Sequence, residues 1–592
     1  MCGFVAIFNQ LETEQLSVSN LLNVLHHRGP DAQGSFVSDD KKVVMFHNRL
    51  SFQDLSENSN QPFVSSNGHF VLVFNGEIYN FLVLKEQLLS KGYIFSTESD
   101  TEVILKGFED EGIAFFKRME GMFSCVIYDQ VNKTMTAVRD RFGIKPLYYF
   151  KSENKLIFAS EIKGIIAAIA PFKLNIRKES ISLFLANRYV PTPFTIWENV
   201  YKLPPANCIV FDQNFNYETS TYWKIIPQNR VLKHNEIIET AKELLVDSVK
   251  NHLISDVPVG GFLSGGFDSS ALAVFAKNQS AFPFDTFSIG FENWGESEDK
   301  FAAIVADKLD IPLHVKLAPE IDLEIVHKLM YHYDDPIADI SIIPTYEVSK
   351  LASNHVKAVL SGEGADELFG GYWWNKNESF YFSSPFRRVS STLFGKKFSD
   401  VKQHYIHAMS MGLFDAKELS EALVGDFQAA IPSDPFKHFD AFEMHGEPTV
   451  KQLQILDINT FMSELVLQKI DRATMANSLE ARVPFLDTQL VTFMMDLAPS
   501  TYMEKGVQKP ILRKILEPHV PRTILERKKQ GFVGPDSFYM DIEKYEKALL
   551  DGRLVKDGVI AQEYIKKKIK EKDHWRLWKL FVLEAWWLNW MN

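Results

Sequence analysis

Cysteine is scarce in this chain: three in 592 residues, at positions 2, 125 and 208. Three thiols cannot staple a chain of this length. That excludes a disulfide framework and makes a reducing, cytoplasmic location the expectation. No uninterrupted apolar run reaches membrane-span length, so no spanning helix is expected. The opening MCGFVAIFNQ lacks the basic start of a secretory leader, and none is read there. Positive charge is in deficit, with 64 Lys and Arg against 76 Asp and Glu and a net charge of −12. That balance argues against a general nucleic-acid or anionic-membrane binder. There is no internal repeat and no low-complexity tract. What is plentiful is core-forming material, 46% hydrophobic against 24% charged. Together with the length it implies a globular chain of roughly two to four domains.

The most informative stretch is Leu263–Ser270, LSGGFDSS. It follows the apolar run Val257–Leu263 and precedes Ala271–Ala276, which reads as buried strand, tight loop and helix. Gly265 and Gly266 let the backbone turn, and Asp268, Ser269 and Ser270 suit a helix start. Backbone N–H groups and the positive helix end then converge on one spot, an anion site. No Gly-Lys-Ser/Thr follows, so this is not the Walker loop. An acid, Asp268, stands where that loop has its lysine, which makes sense beside a phosphate if the acid holds Mg²⁺.

The first two hundred residues are strand-rich: Phe4–Phe8, Val43–Phe46, Phe70–Phe74, Phe123–Tyr128, Met135–Val138 and Leu147–Phe150 are short apolar or alternating runs. Leu82–Leu89 and Glu102–Phe108 read as helices. A proline-bearing connection, Tyr189–Pro193 and Lys202–Pro205, leads to a polar stretch. The second half alternates. Helices are expected at Glu236–Asn251, Glu298–Leu309, Leu323–Tyr333 and Ile343–Ser353. Strands are expected at Asp285–Phe291, Leu313–Leu317 and Val356–Leu360. That order predicts a doubly wound parallel sheet with ligands at the carboxyl ends of its strands. LSGGFDSS and a second loop, Ser361–Glu367 (SGEGADE), both fall there.

An N-terminal cysteine carries its own base, because its α-amino group titrates within reach of the thiol. Cys2 takes that place if Met1 is removed. Met1-Cys2-Gly3, His27–Asp31 (HRGPD), His47–Ser51 (HNRLS), Asn75–Asn80 (NGEIYN), Ser99–Glu102 (SDTE) and Arg139–Tyr149 occur in that order. Together they resemble the class II glutamine amidotransferase domain, an N-terminal-nucleophile (Ntn) hydrolase with an αββα sandwich. SGGxDS resembles the pyrophosphate loop of the N-type ATP pyrophosphatases, which release AMP and pyrophosphate. With SGEGADELFGGY (361–372), DRATMANSLEARVPFLD (471–487), KPILR (509–513) and RKKQGF (527–532), the second half is similar to the asparagine synthetase family.

The resemblance implies a mixed α/β and α+β chain in three parts. Residues 2–210 would form the amidotransferase domain, 211–235 a linker and 236–592 the ATP-pyrophosphatase domain. It implies that Cys2 attacks glutamine while Asn75 and the Gly76 N–H hold the oxyanion. Arg49, with Leu50, would bind the glutamine carboxylate, and Glu77 and Asp100 its ammonium. ATP would meet Leu263, Ser264, Gly265, Gly266, Asp268, Ser269, Ile289, Ser361 and Gly362. Asp268 and Asp366 would hold Mg²⁺, Lys509 would face the transferring phosphorus, and Glu363 would act on the acyl-adenylate or the incoming ammonium. His26 and His27 are read as loop-ordering. Aspartate is the expected acceptor. A sugar (uronic) acid amidated by the same machinery is the alternative. Small-molecule substrates are expected, without nucleic acid or membrane, and a homodimer is an expected assembly.

Residues 375–447 carry no recognised motif. The tryptophans of His574–Asn592 fall on one helical face; Arg576, Lys579 and Glu584 interrupt it, so docking on the protein is expected rather than membrane contact. Lys566–Lys568 reads as a solvated helix face.

Overall fold

A computed structural model gives the coordinates of this chain and describes residues 2–10, 18–292, 294, 297–318, 324–375, 401–442, 446–527, 531–532, 534–535 and 539–591. The expectations for Met1 and for Lys528–Gln530 fall outside the described residues.

The first half is built on two six-stranded antiparallel sheets. Their strands in chain order are β1 (Gly3–Asn9), β2 (Ala32–Val37), β3 (Val43–Arg49), β4 (Phe63–Val64), β5 (Phe70–Ile78) and β6 (Gly121–Asp129). Then come β7 (Thr134–Arg139), β8 (Tyr148–Lys151), β9 (Lys155–Ala159), β10 (Val200–Lys202), β11 (Asn207–Phe211) and β12 (Tyr217–Thr221). One sheet runs β10–β8–β9–β1–β3–β2 and the other β12–β11–β7–β6–β5–β4. Every residue of β1 is buried, as a strand covered on both faces requires. Phe4, Ala6 and Phe8 point between the sheets, toward Val71 and Val73 of β5 and Val126 of β6. Val5 and Ile7 point the other way. They pack against the helical layer of α1 (Val18–Val24) and the Ile162 and Ile165 side chains. Beyond the second sheet, Leu72 and Phe74 meet α2 (Phe81–Ser90) and α3 (Asp100–Glu111). The layers are therefore α, β, β, α. β11 and β12 extend the second sheet to Thr221, so sheet occupies the start of the connection expected at 211–235.

The second half carries a five-stranded parallel sheet of β13 (Val259–Phe262), β14 (Thr286–Phe291), β15 (Leu313–Ala318), β16 (Ala358–Leu360) and β17 (Glu480–Arg482), in the order β15–β14–β13–β16–β17. The chain leaves β13 in one direction to reach β14 and β15. It then returns to the other side for β16 and β17. The crevice between β13 and β16 is a topological switch point, where ligands of such sheets bind. Both glycine loops emerge there. The helix after β13 spans Phe267–Lys277, with Gly266 as its cap. It begins earlier than the Asp-Ser-Ser reading implies, because Gly265 at φ +68° completes the turn by itself.

The helix His574–Trp590 closes the molecule. Trp578, Trp586 and Trp587 are buried, and the indole N–H groups of Trp586 and Trp590 donate to the carbonyls of Asp334 (3.2 Å) and Met330 (3.0 Å). This face is docked on the protein. Among the described residues no helix is long and apolar enough to cross a membrane. One expectation is corrected here: Lys568 is buried, with Nζ 3.1 Å from Glu418 and 3.0 Å from Glu571, while Lys566 and Lys567 pair at the surface. Glu571, one turn along the same helix, and Glu418, from the helix Ala416–Ala422, make that burial tolerable.

Candidate active sites

Cys2 stands at the start of β1, 7% exposed, and its backbone N–H donates to Asn75 Oδ1 at 2.8 Å. Burial pushes its thiol up; the Leu50 backbone N–H and the Arg49 charge pull it back in part. Asn75 is fully buried on β5, and its Nδ2 has no hydrogen-bond partner among the described residues. A fixed, unpaired donor beside a thiol is what an oxyanion needs. Gly76 follows at φ +150°. A Cβ there would lie 2.0 Å from the Met122 carbonyl, so only glycine lets β5 and β6 approach this closely.

Arg49 directs its fork at the loop that follows β3. Nη1 donates to Ser56 O and Asn60 Oδ1, both at 2.9 Å, and Nη2 to Gln53 O at 3.1 Å and Asp54 O at 2.5 Å. An incoming carboxylate would share or displace these carbonyls. Glu77 accepts from Gln53 Nε2 at 2.8 Å and lies 3.5 Å from Arg482 of the second half. Asp100 accepts from the Ile78 N–H at 3.0 Å, in the first turn of α3. Burial raises the carboxyl groups of Glu77, to about 8, and Asp100, to about 6. A substrate ammonium between them would favour their charged forms. His27 binds Glu161 at 3.1 Å and packs edge-on to His332.

The second site is a cavity of about 750 Å³ at the carboxyl ends of β13 and β16. Leu263, Ser264, Gly265, Gly266, Asp268 and Ser269 line it from one loop, and Ser361, Gly362, Glu363 and Asp366 from the other. Ile289 does not line it. Phe287 and Ser288 form that part of the wall, and Ile289 packs with Val359 and Leu479 in a separate cluster.

Lys509, 2% exposed and at φ +47°, begins the helix Pro510–Leu516 and reaches back into the cavity. Its ammonium bridges Asp268 and Asp366, the latter at 2.8 Å. Burial alone would lower it; the two carboxylates outweigh burial and raise it. Gly371 makes the approach possible, since a Cβ there would meet Asp366 Oδ1 at 1.7 Å. Among the described residues no group of three or more His, Cys, Asp or Glu gathers for a metal. Asp268 and Asp366, two carboxylates beside the Gly265–Gly266 turn, would still fit Mg²⁺, which takes one or two carboxylates and completes its shell with water and substrate oxygens.

Sequence reasoning gave no role to several residues of this wall, although Arg527 opens the RKKQGF motif. Arg527 donates to Ser264 O at 2.9 Å, covers the Phe301 ring at 4.1 Å and faces Glu298 at 3.6 Å. Glu298 was legible only as the start of a helix. Lys469 lies 3.9 Å from Glu363, whose carboxylate also accepts from the Ser361 hydroxyl. The two halves are bolted together by buried charge. Arg28 reaches Glu161 and Asp471, Arg472 reaches Glu161 and Asp334, and Lys202 reaches Asp335 and Glu464.

The asparagine synthase family model matches residues 240–588, and the glutamine amidotransferase domain model matches residues 1–223. The chain belongs to the asparagine synthase family. Asparagine synthetase [glutamine-hydrolyzing] 1 of Bacillus subtilis (strain 168) is 33% identical to it, over 99% of this chain and 96% of that protein. Asparagine synthetase [glutamine-hydrolyzing] 3 of the same organism is 29% identical, over 90% and 87%. Amidase chry2 of Gibberella zeae is 28% identical, over 89% and 86%. Within this family member, the segment 240–588 contains both cavity loops and Lys509, and the segment 1–223 contains Cys2, Asn75 and Asp100.

Proposed function

We propose that this protein is a glutamine-dependent asparagine synthetase. Cys2, freed of Met1, attacks the side-chain amide of glutamine, and its own α-amino group takes the thiol proton. Asn75 Nδ2 and the Gly76 N–H receive the oxyanion. Arg49 and Leu50 hold the substrate carboxylate, and Glu77 and Asp100 its ammonium. Collapse of the intermediate breaks the C–N bond and releases ammonia, and water hydrolyses the γ-glutamyl thioester to glutamate; ammonia passes inside the protein to the second cavity, where aspartate and ATP have formed an acyl-adenylate and pyrophosphate. The Gly265–Ser270 loop cradles the pyrophosphate and Lys509 faces the transferring phosphorus. Ammonia attacks the acyl carbon, Glu363 takes the proton its nitrogen sheds, and AMP departs. Magnesium, held by Asp268 and Asp366, would neutralise charge on the phosphates.

The observation that carries this reading is the buried Lys509 ammonium between Asp268 and Asp366, in a cavity bounded by both glycine loops. A cation fixed where pyrophosphate departs supports adenylation. The test is to incubate the purified chain with glutamine, aspartate and MgATP. Asparagine, glutamate, AMP and pyrophosphate should appear together; ADP and phosphate would refute the adenylation step. A second reading, amidation of a sugar acid, is favoured by Trp373. Its ring is 49% exposed on the cavity wall and could stack on a pyranose face. Offering glucuronate in place of aspartate, with pyrophosphate as the readout, separates the two.

A further inference from the structure

Arg188 lies in the half matched by the amidotransferase model, yet its side chain ends behind the wall of the other half's cavity. It follows the helix Lys178–Asn187 at φ +73°, a left-handed conformation rarely adopted by arginine, and is 4% exposed. Its carbonyl accepts the Ala338 N–H at 2.9 Å, which ties it to the residue preceding Asp339. Its guanidinium lies over the Phe461 ring at 5.3 Å, and Nη1 points at Met411 Sδ at 2.7 Å. Asp339, Met411 and Phe461 all line the cavity.

This cation is poorly satisfied. A thioether is a weak acceptor, and Arg188 Nε is buried without a hydrogen-bond partner among the described residues. A buried guanidinium left this way calls for an explanation. Opposite charge stands nearby in balanced form. Asp339 accepts the Ser341 N–H at 2.7 Å, and Lys469 lies 3.9 Å from Glu363. Two cations and two carboxylates around one end of the cavity match a ligand that itself carries both signs.

We infer that Arg188 anchors the α-carboxylate of an amino-acid acceptor while Asp339 faces its α-ammonium, leaving the side-chain carboxylate to reach ATP beside Glu363. The inference rests on the acceptor reading above and sharpens it to an α-amino dicarboxylate. Met411, unbranched and flexible, swings aside. The carboxylate then replaces a weak sulfur acceptor with charge-assisted bonds to the fork. Arg188 thereby becomes a specificity-determining residue contributed by the amidotransferase half to the synthetase cavity.

The test compares wild type, Arg188→Gln and Arg188→Lys in the full chain, with ammonium as nitrogen source and pyrophosphate release as readout. In Arg188→Gln the KM for aspartate should rise about 10- to 100-fold, the loss of charge-assisted hydrogen bonds. The KM for ATP and glutamine hydrolysis at Cys2 should hold. The wild-type preference for aspartate over β-alanine, which lacks the α-carboxylate, should largely vanish, and Arg188→Lys should restore part of it. An unchanged KM for aspartate, or an equal loss of ATP binding and glutaminase, overturns the assignment. Calorimetric titration with aspartate separates the two levels. Arg188-dependent binding without pyrophosphate release keeps the anchor and sinks the synthetase reading. No binding of aspartate to wild type in the presence of a non-hydrolysable ATP analogue sinks the anchor.

Discussion

Arg28 donates to both carboxylate oxygens of Asp471, at 2.8 and 3.2 Å, although 443 residues separate them in the chain. The same guanidinium donates through Nε to the carbonyl of Cys2 at 3.0 Å. One buried arginine thus holds the backbone of Cys2 and grips the second half. Removing one partner of a buried pair costs about 3–5 kcal/mol, because the other charge is left uncompensated. Asp471→Asn should fall at the low end of that range, since Arg28 keeps Glu161 at 2.7 Å. The melting temperature should drop, and replacing both partners with apolar residues (Arg28→Met with Asp471→Leu) should recover part of the loss. Calorimetric melts of the two variants against wild type check this.

Asn75→Ala removes the buried Nδ2 donor and should lower the kcat of glutamine hydrolysis about 10²- to 10³-fold, the usual effect of losing an oxyanion donor. Asn75→Asp should be no better, because a carboxylate offers no N–H. Ammonium-driven synthesis should survive in both. Parallel assays with glutamine and with ammonium decide it. If both nitrogen sources fail together, Asn75 is holding up the fold rather than the oxyanion.

The parts of this molecule legible in sequence are those with local causes. β13 and β16 are apolar runs ending in glycine loops, and the alternation of strand and helix around them fixes a parallel sheet. β2 was illegible because Ala32-Gln33-Gly34-Ser35 is a polar, half-exposed stretch, and β12 because Tyr217–Thr221 is an exposed edge. Propensity says little where packing against a neighbour decides. The site divides in the same way. Asp268, Gly265 and Glu363 announce themselves through their loops. Arg188, Glu298 and Lys469 matter through partners distant in the chain, which leaves no periodic trace. Ile289 was placed on the right strand, β14, where its neighbours Phe287 and Ser288 line the cavity.

Lys509→Met should stop pyrophosphate release while leaving glutamine hydrolysis intact. It should also expose a second effect. Without the ammonium, Asp268 and Asp366 lose the cation that bridges them, and like carboxylates in one site disfavour joint ionisation. Mg²⁺ would then meet these carboxylates without having to displace Lys509. Added Mg²⁺ should therefore raise the melting temperature of Lys509→Met more than that of wild type, by mass action on the folded state. Melts with and without nucleotide-free MgCl₂ test it; an identical Mg²⁺ response in the two proteins would mean that the lysine does not stand in for the cation.

Glu298 gives the fold a dependence on pH whose sign can be worked out. Burial raises its carboxyl from an ordinary 4.5 to about 8, with Arg527 opposing. Between those values the unfolded chain has released this proton and the folded chain retains it, so the folded state binds more protons and its stability falls as pH rises. The contribution is fully present below 4.5, is lost toward 8 and stays lost above. The slope is at most about 1.4 kcal/mol per pH unit from this one group. Glu298→Gln keeps the shape and a hydrogen-bonding oxygen for Arg527 but cannot ionise. Relative to wild type it should gain stability steadily from pH 5 to about 8 and level off beyond. Denaturant midpoints of the two proteins across that range give the difference curve. A flat difference would mean that Glu298 is already ionised at neutral pH, with Arg527 as a full ion-pair partner beside the Ser264 carbonyl.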